Sequence, residues 1–126
     1  MKVTKFVYNK NDGWSVDFPT ESDSSQTLVF VFGSTSYLEN SAPLEELNEK
    51  FPHSKIVGCS TAGEIFDSTI NDESLSVAVV KFDKTEIETA YSPVFSADES
   101  FDSGIKIAQM LNKPMLRGIL VLSDGL

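Results

Sequence analysis

Hydrophobic and polar positions along the chain follow two periods, and the places where the period switches mark the elements. Lys2–Tyr8 is rich in β-branched and aromatic residues and runs into Asn9-Lys10-Asn11-Asp12-Gly13, a turn-rich pentad that contains Asp-Gly. With the weak alternation of Trp14–Phe18 it predicts a β-hairpin. Thr27–Phe32 (TLVFVF) is a near-continuous apolar run stopped by Gly33, the pattern of a strand buried on both faces. The helical period then takes over across Ser41–Phe51. Leu44, Leu47 and Phe51 share one face, Pro43 sits in the first turn where proline is tolerated, and Glu45, Glu46 and Glu49 point outward. Pro52 ends that helix, and Lys55–Cys59 (KIVGC) is a short second strand. Strand, helix and strand in this order make a βαβ unit, whose strands are parallel.

Period two returns further along. Ser74–Phe82 and Thr85–Val94 flank Asp83-Lys84 and predict an antiparallel hairpin inserted after the second parallel strand. Ser96-Ala97-Asp98-Glu99 has the spacing of a capping box. Phe101, Ile105, Ala108 and Leu111 then supply the apolar stripe of a helix that ends at Lys113-Pro114. Arg117–Leu122 (RGILVL) reads as a third strand buried on both faces, running into Ser123-Asp124-Gly125-Leu126. The expected fold is therefore α/β: a mixed sheet with a parallel core, an antiparallel hairpin and at least two helices. A buried strand with no following helix leaves one sheet face uncovered. That predicts either a piece of a longer domain or a second layer supplied by another chain, a homo-oligomer included.

Composition narrows the function classes. At 126 residues the chain has the length of one domain, and 40% hydrophobic with 23% charged residues is ordinary for a soluble protein rather than a disordered one. Nineteen acids against ten bases leave a formal charge of −9, a field that repels phosphate backbones and anionic headgroups. Neither nucleic acid nor a membrane surface is an expected partner. The longest apolar runs, Leu28–Phe32 and Ile119–Leu122, fall far short of the roughly 20 residues that span a bilayer. The opening Met1-Lys2-Val3-Thr4-Lys5 leads into no apolar signal segment, so a cytoplasmic location is expected. One cysteine, Cys59, and one histidine, His53, exclude an internal disulfide and a cysteine/histidine zinc site.

Candidate chemistry gathers where the buried strands end. Gly33-Ser34-Thr35-Ser36, Gly58-Cys59-Ser60-Thr61-Ala62-Gly63-Glu64 and Ser123-Asp124-Gly125 are all small and polar. Open α/β sheets bind ligands outside the carboxyl ends of their strands, where unpaired backbone N–H groups and hydroxyls face the crevice. If the three strands are neighbours, these loops converge on one pocket for a small polar ligand. The candidate residues are Gly58, Cys59, Ser60, Thr61, Gly63 and Glu64, with Ser123 and Asp124 on the same rim. The same residue types also make ordinary turns.

Sharper enzymatic motifs fail on spacing. The residue two after Ser60 is Ala62 rather than the glycine of a nucleophile elbow, and Glu64 stands where a phosphate-binding loop needs lysine. A Cys59–His53 nucleophile pair and a Glu64–Asp124 acid–base pair are the catalytic readings that remain. The expectation is a domain that is not an enzyme.

IVGCSTAGEI (Ile56–Ile65), taken with TLVFVFGS (Thr27–Ser34), the acidic helix ending in Phe51-Pro52, DESLSVAVVKFDKT (Asp72–Thr85) and LVLSDGL (Leu120–Leu126), strongly resembles the FIST N-terminal domain. The resemblance covers nearly the whole chain and corresponds to the earlier part of such a domain. It implies a prokaryotic, intracellular signal-input module that binds a small ligand, amino acids being the proposed class; in that reading Ser60, Thr61 and the Gly63 backbone would hold the carboxylate, and Glu64 or Asp124 would receive the amine. The implied partners are histidine kinases, diguanylate cyclases or chemotaxis transducers. Some members of the family bind haem and sense nitric oxide. In that alternative His53, Cys59, Met110 or Met115 would be the axial ligand. Otherwise no cofactor is expected.

Overall fold

A computed structural model describes residues 1–123 and divides into two units, Met1–Ile87 and Glu88–Leu126. In the first unit the elements are β1 (Lys2–Asn9), β2 (Gly13–Trp14), β3 (Thr27–Gly33), α1 (Ala42–Lys50), β4 (Lys55–Ser60), β5 (Glu64–Phe66), β6 (Thr69–Asn71) and β7 (Ser74–Lys81). The second holds α2 (Ser100–Leu111).

The predicted βαβ unit forms. β3 and β4 are parallel, in register from Leu28 opposite Lys55 to Gly33 opposite Ser60, with α1 between them in sequence. The five-stranded sheet has the order β2-β1-β7-β3-β4. β7 is antiparallel to both of its neighbours, setting Phe6 opposite Val77 and Val29 opposite Val79. That position overturns the expected pairing of Ser74–Phe82 with Thr85–Val94. β1 occupies one edge of β7 and β3 the other, so no edge is left for residues 85–94, which form no strand. Besides the β1–β2 hairpin, in which Tyr8 lies opposite Trp14, an antiparallel hairpin forms at β5–β6, with Ile65 opposite Ile70 and a turn at Asp67-Ser68, where Asp67 has φ 53°. The β5–β6 hairpin is tied to the sheet by an ion pair between Lys5 and Asp67, by the Lys5 ammonium 6.0 Å from the Phe66 ring centre, and by Ser76 Oγ donating to the Ile65 carbonyl at 3.2 Å.

One face of the sheet carries the core. Phe6, Val29, Leu75, Val77 and Val79 are buried there with Leu47 of α1, Phe51 and Tyr37. Burying a side chain of this size contributes roughly 1.5–3 kcal/mol, so this layer is the main source of stability for the unit. Leu47 faces in while Glu45, Glu46 and Glu49 face solvent, as the helical period predicts. The strand expected over Trp14–Phe18 is shorter, because the chain leaves the sheet after Trp14 to place Phe18 edge-on against Phe6, Trp14 and Phe51, at ring-centre distances of 5.8, 5.0 and 6.3 Å. Such edge-to-face pairs add about 0.5–1.5 kcal/mol beyond the area they bury.

In the second unit α2 begins after a single 3-10 turn at Ala97–Glu99. The predicted capping box does not form: Ser96 makes no side-chain cap, and Glu99 Oε2 accepts from the N–H of Phe95, the residue before Ser96, at 3.2 Å. The strand expected over Arg117–Leu122 is not formed. Ile119, Leu120 and Val121 are 51%, 63% and 65% exposed. A strand buried on both faces needs neighbours to pair with, and the described residues of this unit contain none. Among the described residues no helix is long and apolar enough to cross a membrane.

Candidate ligand site

Because β7 opposes both β1 and β3, and β4 parallels β3, the carboxyl ends of β1, β3 and β4 emerge at one edge of the sheet. Asn9 lies opposite Ser74, Gly33 opposite Leu75, and Ser60 opposite Gly33. The loops after β3 and β4 therefore meet, and the Thr61 N–H donates to the Gly33 carbonyl at 2.8 Å. This is the convergence expected from the sequence for two of its three loops. Ser123, in the second unit, is exposed, and Asp124 lies outside the described residues.

Glu64 is the anchor of this edge. Its side chain is among the most buried of the described residues, at 2% exposure, and it accepts three hydrogen bonds. Oε1 accepts from Thr61 Oγ1 at 2.7 Å, while Oε2 accepts from the Ser74 N–H at 3.1 Å and from Ser74 Oγ at 3.0 Å. A buried carboxylate is tolerable when several donors compensate its lost hydration. The carboxylate thus stitches the end of β4 and the start of β5 to the first residue of β7. It is held by the protein's own donors and does not stand open at a loop mouth.

The other predicted site residues fall into distinct roles. Gly58 is a packing position: a Cβ there would lie 1.7 Å from the Val31 carbonyl oxygen, so only glycine lets β4 approach β3 so closely. Cys59 and Ser60 are exposed on β4, which is an edge strand. Thr61, Gly63 and Glu64 join Phe32, Ile65 and Ser76 around an open hollow of about 220 Å³, between the β5–β6 hairpin and the side of the sheet away from the core.

A larger hollow of about 410 Å³ lies beside Glu73 and was not foreseen from the sequence. Tyr8 and Tyr37 line it with Lys10, Ser36, Glu39 and Glu73. Tyr37 is buried, and its hydroxyl donates to the Glu73 carbonyl at 2.8 Å. Burial first, and then the neighbouring Tyr8, Glu64 and Glu73, hold its phenol above the usual tyrosine range, so it remains a neutral donor. The one local sequence signal was the small polar run before Tyr37; the contributions of Tyr8 and Glu73 arrive from distant strands.

His53 and Cys59 stand near opposite ends of β4, and His53 Nδ1 is 2.7 Å from Asp23 Oδ2. Neither residue lines either hollow. His53 is 76% exposed and turned to Asp23, so that residue offers no enclosed setting for haem. Among the described residues no cluster of histidine, cysteine and acidic side chains is arranged to hold a metal ion.

No curated protein and no solved structure matches the chain. The FIST N domain family model matches residues 27–126, from the first residue of β3 onward and through every loop of the edge just described except that after β1. Such membership is consistent with a sensory signal-input role. With most of its length inside that match, the chain belongs to the FIST N domain family.

Proposed function

We propose that this domain is a non-catalytic input module that senses a small polar ligand and relays its occupancy to a signalling output partner. In its most specific form the ligand is an amino acid, and the partner is a histidine kinase, a diguanylate cyclase or a chemotaxis transducer in the cytoplasm. The domain would work without a resident cofactor. The observation that supports this reading is the meeting of the β3 and β4 loops at one sheet edge, where hydroxyls and backbone N–H groups flank two hollows. Catalysis has no comparable support: the single thiol and the single imidazole lie apart, and the buried carboxylate is engaged by internal donors.

Titration calorimetry with a panel of amino acids tests the proposal. Ser60→Ala combined with Thr61→Ala is expected to weaken binding about tenfold, as loss of one or two ligand hydrogen bonds implies, while circular dichroism stays native. Unchanged affinity in the double variant removes the β4 loop from the site. Absence of binding by every amino acid removes the ligand class.

A further inference from the structure

We propose that the hollow around Tyr37 is an amine-binding site, and that the peptide group between Glu73 and Ser74 connects it to the β5–β6 hairpin. The inference rests on the reading that the domain takes a small polar ligand; it adds where a ligand's ammonium sits and what responds to it.

The chemistry of the walls selects the ligand class. Tyr8 and Tyr37 line the hollow with two rings packed edge to face, 5.8 Å apart and inclined at 78°. Glu39 and Glu73 bring two carboxylates to the rim against the single ammonium of Lys10. The excess is negative, so a protonated amine is favoured and an amine-free acid is repelled. Lys10 gives a compact zwitterion a second point of attachment. At about 410 Å³ the hollow falls in the lower half of the volumes that small ligands occupy.

The connection runs through one amide. The carbonyl of Glu73 accepts from the Tyr37 hydroxyl at 2.8 Å, and the N–H of the same peptide group, at Ser74, donates to Glu64 Oε2 at 3.1 Å. Glu64 is the first residue of β5. Thus a phenol in the hollow and the carboxylate that opens the hairpin grip opposite ends of one amide plane. Glu73 itself has φ 52°, a left-handed conformation that a non-glycine residue holds only when its surroundings fix it. A cation drawn to the Glu73 carboxylate pulls on that residue, and rotation there turns the amide held by Glu64.

Nitrogen-15 NMR of the whole chain, with ethylamine, glycine and putrescine as probes and acetate and succinate as amine-free controls, tests both parts. The amines are expected to shift the amides of Tyr8, Lys10 and Tyr37 and, beyond the hollow, those of Ser74, Glu64 and Ile65; the acids are not. Trp14, whose ring centre is 5.0 Å from that of Tyr8, gives a fluorescence readout of the same titration. Glu73→Gln should weaken amine binding about tenfold, the value of one charge-assisted contact. Tyr37→Phe removes the hydroxyl that fixes the Glu73 carbonyl, so at saturating amine the shifts at Ser74, Glu64 and Ile65 should differ from those of the unmodified protein; identical shifts overturn the connection. Amine shifts confined to Ser60–Gly63 would overturn this inference and leave the small-ligand reading standing. Shifts that stop at the hollow in the unmodified protein overturn the connection, and no amine shifting any resonance at millimolar concentration overturns both.

Discussion

Replacing Glu64 separates two accounts of the same residue. If the carboxylate waits for a ligand, its removal costs binding and leaves stability unchanged or raised, because sites held ready for a partner are often strained. If it braces the fold, its removal must destabilise. The geometry gives the size of that effect. Each hydrogen bond to a charged group contributes roughly 1.5–3 kcal/mol, and a buried donor left without a partner costs about 1–3 kcal/mol. Glu64→Ala strands the Ser74 N–H and removes partners from two hydroxyls, at a residue with 0% exposure for Ser74. Bonds to one carboxylate act together and do not sum, so the expected loss is about 3 kcal/mol, a large share of the roughly 5–15 kcal/mol available to a domain. Glu64→Gln keeps an oxygen for Ser74 and offers its amide nitrogen to Thr61, whose hydroxyl can turn to accept; its cost should be about 1 kcal/mol. Urea unfolding followed by Trp14 fluorescence reads the difference, since Trp14 packs edge-on to Phe6 in the core of the same unit. With a slope of about 1–3 kcal/mol per molar, the alanine variant's midpoint should fall by roughly 1–3 M. An alanine midpoint no lower than that of the glutamine variant would refute the bracing role.

Two further outcomes follow from the packing and the charges. Gly58→Ala would force a methyl group to 1.7 Å from the Val31 carbonyl, so β4 has to separate from β3, at a cost of about 3 kcal/mol in the same urea assay; an unchanged midpoint would contradict the observed register. Asp23 provides a pH test. Partial burial raises its pKa, but hydrogen bonds from Ser54 Oγ at 2.6 Å and from the His53 ring and backbone outweigh this and hold the carboxyl below its ordinary value. A depressed folded-state value means that its stabilising contribution is present above the unfolded pKa of about 4 and is lost as pH falls through the lower, folded one. Asp23→Asn is therefore expected to lower the urea midpoint at neutral pH, with the gap to the unmodified protein closing in acid; a gap constant with pH would refute the assignment.

Local pattern made β3, α1 and β4 legible, because each carries its own period and its own stop signal: Gly33, Pro52 and the small residues after Cys59. It also placed the meeting of the Gly33 and Ser60 loops, which follows from parallel pairing alone. What failed were statements about partners. Ser74–Lys81 and Thr85–Val94 look alike in sequence, but only the first is flanked by strands with edges to share. Nothing near residue 74 announces that Lys2–Asn9 will pair along its whole length. Arg117–Leu122 has the composition of a buried strand and lies exposed, since composition expresses a tendency and pairing requires a neighbour. At the site, the sequence offered Glu64 as the acceptor of a ligand's amine; what it could not supply is the donor from Ser74, ten residues on, a contact no spacing rule gives. Tyr37 was missed because its importance lies in the Glu73 carbonyl it reaches.

The position of β7 also has a consequence for synthesis. β1 and β3 share no ladder with each other, and the strand that joins them is the last of the sheet to leave the ribosome. Until Ser74–Lys81 emerges, β1–β2 is a short ribbon and β3–α1–β4 a separate strand–helix–strand piece, both with edges open to strange partners. Assembly has to wait for contacts remote along the polypeptide, which places this domain among slow folders for its length and leaves it reliant on shielding during translation.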